Sequence, residues 1–221
     1  MHGFRALTGQ TKIPDEVRLY RVTHLSNLAS IAQEGLLPFN LLQQRCIEHR
    51  SIAFQHLQER RHKITTPLGG TLHDCVPWSF AARPPMLYTV ARGGLADSVR
   101  QEDIVHLVTS VGRVQQANLP FVFTDGHPLS DFSVFSTDID KLPHVLDWEV
   151  LKSLHWHNTE DDPDRKRRRQ AEFLIQSIVP WRIVAGIAVR TEATKQSVET
   201  ALVQTDYRPK VLVLPEWYYD L

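Results

Sequence analysis

Short apolar runs of strand length, each followed by turn residues, recur along this chain and limit the folds that it can adopt. They predict strands over residues 17–22, 105–110, 121–124, 171–176, 186–190 and 210–214. Apolar residues at helical spacing predict helices over residues 27–34, 52–61, 147–154 and 192–204. Strands and helices do not alternate as a βαβ repeat would require, so the pattern indicates a fold of the α+β class.

Length and composition are those of an ordinary globular protein. The 221 residues are 42% hydrophobic and 23% charged, and 25 basic and 25 acidic side chains leave no net charge. These values exclude a disordered, collagen-like or globally basic nucleic-acid-binding chain, but they are compatible with a local basic patch. We expect a single domain over residues 1–221, with residues 1–16 as a loose lead-in.

Cysteine content and hydropathy predict the compartment. Cys46 and Cys75 are too few for a disulfide framework, and no C-x-x-C motif provides a zinc site. No stretch reaches 18 apolar residues, and residues 1–9 contain no long apolar run, so we expect neither a membrane span nor a cleaved signal peptide. We therefore expect a cytoplasmic protein.

The most unusual segment, residues 160–172, joins an acidic block to a basic one and leads into an apolar strand. Its consecutive cations are Arg165, Lys166, Arg167, Arg168 and Arg169. A charge run is most often a solvated loop, but five cations beside a strand also suit contacts to nucleic-acid phosphates. Glu172 lies between apolar neighbours at the mouth of the strand, where a carboxylate can be directed into a cleft.

Other polar groups are open to two interpretations. Arg21 and Thr23 share one face of a strand that leads into a helix, which suits a phosphate or ribose ligand, although Arg21 could equally face solvent. Arg61 ends a predicted helix, where the helix dipole alone accounts for a cation. The HD pair at 73–74 and the HWH triplet at 155–157 lack a third ligand at zinc spacing, so we expect no metal.

Several segments, spread in order over most of the chain, together resemble the DarT family, bacterial toxins that ADP-ribosylate single-stranded DNA. The matching strings are LYRVTHLSNL (19–28), RSIAFQHLQERR (50–61), GGTLHDCVPWSFAARPPMLY (69–88), LPFVFTDGH (119–127), WEVLKSLHWHNTEDDPDRKRRRQAEFL (148–174) and EWYY (216–219). Each string alone is weak, whereas the ordered set is specific.

The resemblance implies an ADP-ribosyltransferase-like split and twisted β-sandwich flanked by helices, with NAD⁺ in the cleft between two small sheets. It implies a glycosyltransferase of the pentosyltransferase class that moves ADP-ribose from NAD⁺ to a base of single-stranded DNA, with thymine favoured, and that uses no metal. It further implies the toxin half of a toxin–antitoxin system, acting in phage defence through DNA damage. The antitoxin would be a macrodomain-type ADP-ribosylglycohydrolase.

The same resemblance assigns roles to individual residues. Glu172 falls on the catalytic glutamate, and Arg61 falls on the catalytic arginine. Contacts to NAD⁺ fall on Arg21, Val22, Thr23, Asn27, Ser30, Leu37 and Arg61, and residues 43–61 match a helical element that covers NAD⁺. We expect contacts to DNA from His127, Trp156, Arg165, Lys166, Arg167, Arg168 and Arg169, whereas Trp78 is expected in the core.

Departures from the family pattern occur in two of these strings. Relatives have YHITH where this chain has Arg21 in place of the histidine, and HDYVPFYF where it has Cys75 and Ser79 in place of tyrosines. Alternatives also stay open: a guanine acceptor, a tRNA 2′-phosphotransferase or protein-modifying transferase of the same fold, and a non-catalytic module that binds single strands.

Overall fold

The computed structural model of the protein describes residues 16–94 and 99–220. Its strands are β1 (Arg18–His24), β2 (Cys75–Ser79), β3 (Ile104–Ser110), β4 (Phe121–Thr124), β5 (Phe135–Ser136), β6 (Glu172–Gln176), β7 (Gly186–Val189) and β8 (Lys210–Val213). Its α-helices are α1 (Leu28–Glu34), α2 (Phe39–Gln44), α3 (Gln55–Arg61), α4 (Pro85–Ala91), α5 (Val111–Gln116), α6 (Leu142–Val145), α7 (Trp148–Lys152), α8 (Arg165–Arg169) and α9 (Glu192–Ala201). Within these residues, no helix is both long and apolar enough to cross a membrane.

The strands form one eight-stranded sheet in the order β5-β4-β6-β2-β1-β3-β7-β8. All neighbours are antiparallel except β7 and β8, which are parallel and are connected by α9. Strands β1 and β3 pair along their whole length, whereas β1 and β2 are joined by a single pair, Tyr20 opposite Ser79. The sheet is therefore split into two four-stranded halves, and the predicted split sheet of the α+β class is confirmed.

A proline explains why the pairing of β1 with β2 stops. In an antiparallel pair the N–H and C=O of one residue point to the same neighbouring strand. The carbonyl oxygen of Pro77 accepts a hydrogen bond from the Arg21 side chain of β1, so the Pro77 nitrogen also faces β1. Because this nitrogen carries no hydrogen, β2 lacks the donor that would continue the ladder beyond Ser79. Strands β1 and β2 therefore separate at that point.

The two halves share one apolar core. Leu19 and Leu107 from one half and Trp78 and Phe173 from the other are at most 1% exposed and belong to one contiguous cluster. The Phe173 ring also stacks on Phe121 with centroids 4.8 Å apart. Each such side chain contributes about 1.5–3 kcal/mol of burial free energy, so the core holds the halves together where the sheet does not. The expected core position of Trp78 is confirmed.

Most predicted elements are present with bounds shifted by a few residues, and β4 has its predicted bounds. Strands β2 and β5 were not predicted, since Pro77 argues against a strand and β5 has only two residues. The basic run is the helix α8 and not a loop. Apart from Glu16, the predicted lead-in lies outside the described residues, and the single domain over residues 1–221 stays a prediction.

Candidate active site

A cavity of about 580 Å³ opens where the two halves of the sheet separate. Its walls come from β1 and β2, from α1 to α3, and from segments around α4 and α8. This volume is within the range of sites for small molecules and cofactors. The cavity is lined by every residue predicted to be catalytic or to bind NAD⁺: Arg21, Val22, Thr23, Asn27, Ser30, Leu37, Arg61 and Glu172.

A two-point ion pair between Arg61 and Glu172 lies in the cavity wall. Arg61 is the last residue of α3 and Glu172 is the first of β6, 111 positions apart in the sequence. Arg61 Nη1 and Nη2 donate to Glu172 Oε1 and Oε2 at 3.0 and 2.9 Å, and the two side chains are 11% and 19% exposed. Because the guanidinium contacts both oxygens, it fixes the plane of the carboxylate as well as its position.

Arg21 brings a second buried guanidinium to the same wall. Burial and, after it, the Arg61 charge lower the pKa of Arg21 to about 10, while Glu172 acts in the opposite direction. Its Nη1 donates to the Pro77 carbonyl oxygen at 2.8 Å across the split. Its Nε is buried without a hydrogen-bond partner among the described residues. Two guanidinium groups and one carboxylate leave an excess of positive charge, which suits an anionic ligand.

Asn27 ties the covering segment to the floor of the cavity. Its Nδ2 donates to the Thr23 hydroxyl at 3.1 Å and to the Arg50 carbonyl oxygen at 3.0 Å, and its Oδ1 accepts from the Arg50 amide at 2.8 Å. Residues 47–54, which lie next to this contact, line the cavity. The Asn27 amide therefore holds the predicted NAD⁺-covering element in place, in addition to any contact it makes with a ligand.

Residues predicted to contact DNA fall into two groups. His127, Trp156 and Lys166 line the cavity, whereas Arg165, Arg167, Arg168 and Arg169 do not. The Trp156 ring is 5% exposed and stacks on His157 with centroids 4.1 Å apart, so most of its surface is already covered. The Lys166 ammonium is exposed and forms no ion pair with the residues that the structure describes.

His127 has a defined tautomer. Its Nδ1 accepts a hydrogen bond from the Leu129 amide at 3.1 Å, so the proton of the neutral ring is on Nε2. Burial lowers the pKa of His127, and Arg61, Arg60 and Lys166 lower it further, whereas Glu172 acts in the opposite direction. The ring is therefore neutral at pH 7 and offers an N–H donor.

The arginines of α8 form ion pairs and hydrogen bonds within the chain, and their predicted contacts to DNA stay a prediction. Arg167 pairs with Asp125 at 3.0 Å and with Asp164 at 2.7 Å. Arg168 pairs with Asp147 at 2.9 Å and with Asp162 at 2.7 Å. Arg169 is 3% exposed and donates to the main-chain oxygens of Arg83, Val150 and Leu151. Acidic residues thus neutralise Arg167 and Arg168, main-chain oxygens hold Arg169, and Lys166 lines the cavity.

An aromatic part of the wall was not predicted from the sequence. The Phe39 ring centroid lies 4.5 Å from that of His73 and 6.2 Å from that of His49. His73 forms a hydrogen bond with the Gln58 side chain at 3.1 Å, and Asp74 caps the turn that begins at Thr71. The HD pair is thus engaged in packing and capping. The described residues contain no group of three or more side chains arranged to hold a metal ion.

Comparison with known proteins decides the family. A family model described as "ssDNA thymidine ADP-ribosyltransferase, DarT" matches residues 20–219. The chain belongs to the DarT family. A DNA ADP-ribosyl transferase of Thermus sp. (strain 2.9) is 39% identical over 93% of this chain and 98% of its own length. The predicted family and enzyme class, an NAD⁺-dependent DNA ADP-ribosyltransferase, are confirmed.

Solved DarT structures agree with this assignment. Thermus sp. 2.9 DarT in complex with ADP-ribosylated ssDNA matches with a TM-score of 0.88 and 37% identity over 95% of this chain and 99% of that one. The complex of the same protein with NAD⁺ matches with a TM-score of 0.83 and 36% identity over 94% of this chain and 100% of that one. A more distant relative is a DNA ADP-ribosyl transferase-DNA ADP-ribosyl glycohydrolase fusion protein of Thermosipho africanus. It is 20% identical over 83% of this chain, and the matched region spans 45% of the fusion protein.

Proposed function

We propose that this chain transfers the ADP-ribosyl group of NAD⁺ to thymine in single-stranded DNA, with Glu172 and Arg61 as its catalytic residues. The observation that carries the proposal is the two-point ion pair between these side chains in the cavity at the split of the sheet. Matches to DarT structures with NAD⁺ and with ADP-ribosylated ssDNA, over 94% and 95% of this chain, support it.

Glu172 is suited to stabilise charge that develops on the ribose. Breaking the bond between nicotinamide and C1′ leaves positive charge on the sugar, as in glycoside hydrolysis. The electron pair of that bond stays on the nicotinamide nitrogen, which leaves as a neutral molecule. The base nitrogen forms the new bond to C1′ and gives its proton to solvent. A carboxylate that is already oriented by Arg61 stabilises the charged sugar without reorganisation during the reaction.

Arg61 acts as a fixed cation in this proposal. A guanidinium group does not lose its proton in proteins, so Arg61 does not take the proton of the base. It orients Glu172 and, beside the reacting base, stabilises the negative charge that the base gains on deprotonation. Arg21 supplies the further positive charge that the diphosphate of NAD⁺ requires.

The tautomer of His127 supports thymine as the acceptor. A neutral ring with its proton on Nε2 donates to a carbonyl oxygen. Thymine presents its O4 acceptor at the position where cytosine presents an N4 amino donor, so this donor distinguishes the two pyrimidines. Guanine also presents an oxygen acceptor, and it therefore stays the alternative acceptor.

Mass spectrometry of DNA oligonucleotides after incubation with NAD⁺ tests the proposal. A mixed-sequence strand should gain one ADP-ribose, and the same strand without thymine should gain none. Glu172→Ala and Glu172→Gln should abolish the gain, because both remove the negative charge, while circular dichroism still shows the native secondary structure. Full activity of a folded Glu172→Ala protein would contradict the mechanism, and labelling of ribo-oligonucleotides alone would favour an RNA-directed enzyme.

We extend the proposal to the biological role of a toxin that a glycohydrolase neutralises. The Thermosipho africanus fusion supports this, because it joins a DNA ADP-ribosyl transferase to a DNA ADP-ribosyl glycohydrolase in one chain. Expression of this chain in a bacterial host should arrest growth, the Glu172→Ala variant should not, and co-expression of a macrodomain-type ADP-ribosylglycohydrolase should restore growth. Arrest by both forms would refute a role that depends on the reaction. Phage defence and a cytoplasmic location stay predictions.

A further inference from the structure

The most exposed large apolar side chain in the described residues is Phe132, at 79%. It lies in the loop between β4 and β5, residues 125–134. The other exposed large apolar side chains in that part of the chain are Leu154, Val203 and Leu212, at 67%, 53% and 42%. A single exposed apolar residue is ordinary on a protein surface and indicates nothing by itself. Phe132 differs from such a residue because its loop also contributes to the wall of the cavity.

The loop that carries Phe132 is held by its own hydrogen bonds. The Phe132 amide donates to the Ser130 hydroxyl at 3.4 Å, and the Ser133 hydroxyl donates to the His127 carbonyl oxygen at 2.8 Å. At the loop ends, the Val134 amide donates to Asp125 Oδ1 at 2.8 Å. The backbone on both sides of Phe132 is therefore fixed before any ligand arrives, which lowers the entropic cost of a contact made by its ring.

Two helices brace this loop from outside. Arg60, next to the catalytic Arg61 on α3, donates to the Leu129 carbonyl oxygen at 3.0 Å. Arg167 on α8 donates to the Ser133 hydroxyl at 3.1 Å, and its carbonyl oxygen accepts from the His127 amide at 2.9 Å. Because the same loop places His127 and Leu129 in the cavity wall, the backbone of Phe132 is fixed relative to the active site.

Two cations flank this loop, and one exposed carboxylate, Asp131, lies directly before Phe132. Arg60 is exposed, and Lys166, which lines the cavity, is exposed and forms no ion pair with described residues. Surfaces that bind single-stranded nucleic acids combine cations for the backbone with aromatic rings on which unpaired bases stack. Trp156, the ring that the sequence suggested for this purpose, is 5% exposed, whereas the Phe132 ring is open.

We propose that Phe132 is a stacking site for an unpaired nucleobase that flanks the modified base of the substrate strand. This inference rests on the proposed function, since it names a further contact of the same DNA substrate. Stacking is tolerant of base identity, because every base has a π-face. This contact therefore adds affinity and fixes the position of the strand in the site, but it does not select a base sequence.

Binding and labelling by Phe132→Ala test the proposal against matched controls. Base–aromatic stacking is worth about 1–3 kcal/mol per base, so Phe132→Ala should weaken binding to a short single strand by about 5- to 150-fold. Val203→Ala and Leu212→Ala remove exposed apolar side chains elsewhere and should bind like the wild type. Affinity for NAD⁺ should be unchanged in all three variants. Unchanged DNA binding by Phe132→Ala, or equal losses in the controls, would overturn the proposal.

A series of abasic strands identifies the contact directly. Removing one flanking base at a time should weaken binding by the wild type at one position, and Phe132→Ala should be insensitive to that same removal. Phe132→Trp should bind at least as tightly as the wild type and should add a fluorescence signal that the strand quenches, which gives a second readout if Phe132→Ala does not fold. A wild type equally affected by all abasic positions would refute the stacking site, whereas a wild type that labels no DNA would refute the proposed function.

Discussion

Replacing Arg169 by alanine should destabilise the fold and not act primarily on DNA binding. Arg169 donates to the main-chain oxygens of Arg83, Val150 and Leu151, and it is 3% exposed. Without Arg169 the Val150 carbonyl oxygen keeps the Ser153 amide and the Arg83 carbonyl oxygen keeps the Tyr219 hydroxyl, so the Leu151 carbonyl is the one that loses its donor. A buried carbonyl without a donor costs about 1–3 kcal/mol, while burial disfavours the Arg169 charge, lowers its pKa, and leaves its Nε without a partner. A net loss of about 2 kcal/mol is expected, which is a large part of the total stability of a domain.

Urea unfolding and thermal melting measure this loss. A change of about 2 kcal/mol should lower the melting temperature by about 4–8 °C for a chain of this length. Lys166→Ala, on the same helix, is the matched control: its side chain is exposed, so stability should be unchanged while the salt dependence of DNA binding becomes shallower. An Arg169→Ala protein as stable as the wild type, but with weaker DNA binding, would refute the structural role and restore the original prediction of a DNA-contacting stripe.

Three further outcomes are expected. Arg61→Lys should lower kcat/KM of ADP-ribosylation by about 100-fold or more with little change in melting temperature, because an ammonium cannot contact both Glu172 oxygens. A kcat/KM near the wild-type value in steady-state kinetics would contradict this. His106 is fully buried, with its Nε2 bonded to the Ala82 carbonyl oxygen, and burial lowers its pKa to about 4 from 6.5. Below pH 6.5 His106 is protonated in the unfolded chain and must lose that proton on folding. The free energy of unfolding is therefore constant above pH 6.5 with respect to this group and falls by about 3 kcal/mol towards pH 4. Urea unfolding at both pH values should show this fall in the wild type and a smaller one in His106→Gln; equal slopes would exclude His106 as its source. Annealing a labelled strand to its complement should suppress ADP-ribosylation, because extruding a paired base costs a few kcal/mol; equal labelling of the duplex would point to a base atom exposed in a groove.

Local sequence patterns predicted those elements whose signal is local. Strands β4 and β6 each contain three consecutive apolar residues, 121–123 and 173–175, and their positions follow from hydropathy. Strand β2 could not be predicted in this way, because it contains Pro77, which is tolerated there since its nitrogen faces the gap beside β1. The proline is tolerated because of the tertiary arrangement of the strands, and the β-propensity of single residues carries no information about that arrangement.

Which residues form the candidate site could be predicted, but how they contact one another could not. The family resemblance selected Arg61 and Glu172, but their two-point contact joins residues 111 positions apart and depends on how α3 packs beside β6. The partners of the basic run were visible only in part. Asp162 and Asp164 lie in the adjacent acidic block, whereas Asp125 and Asp147, the further partners of Arg167 and Arg168, are distant in sequence and do not show in a local charge pattern.

The single residue pair between β1 and β2 links occupancy of the cleft to the folding equilibrium. Beyond Tyr20 and Ser79, the main chain of β1 faces the cavity on the side where a neighbouring strand would otherwise lie. A molecule bound there would contact the β1 half of the sheet on one side and the β2 half on the other. Ligation at 100 times the dissociation constant stabilises a native state by about 2.7 kcal/mol, so a ligand in this cleft stabilises the arrangement of the two halves. Amide hydrogen exchange along β1 should therefore slow when NAD⁺ is added.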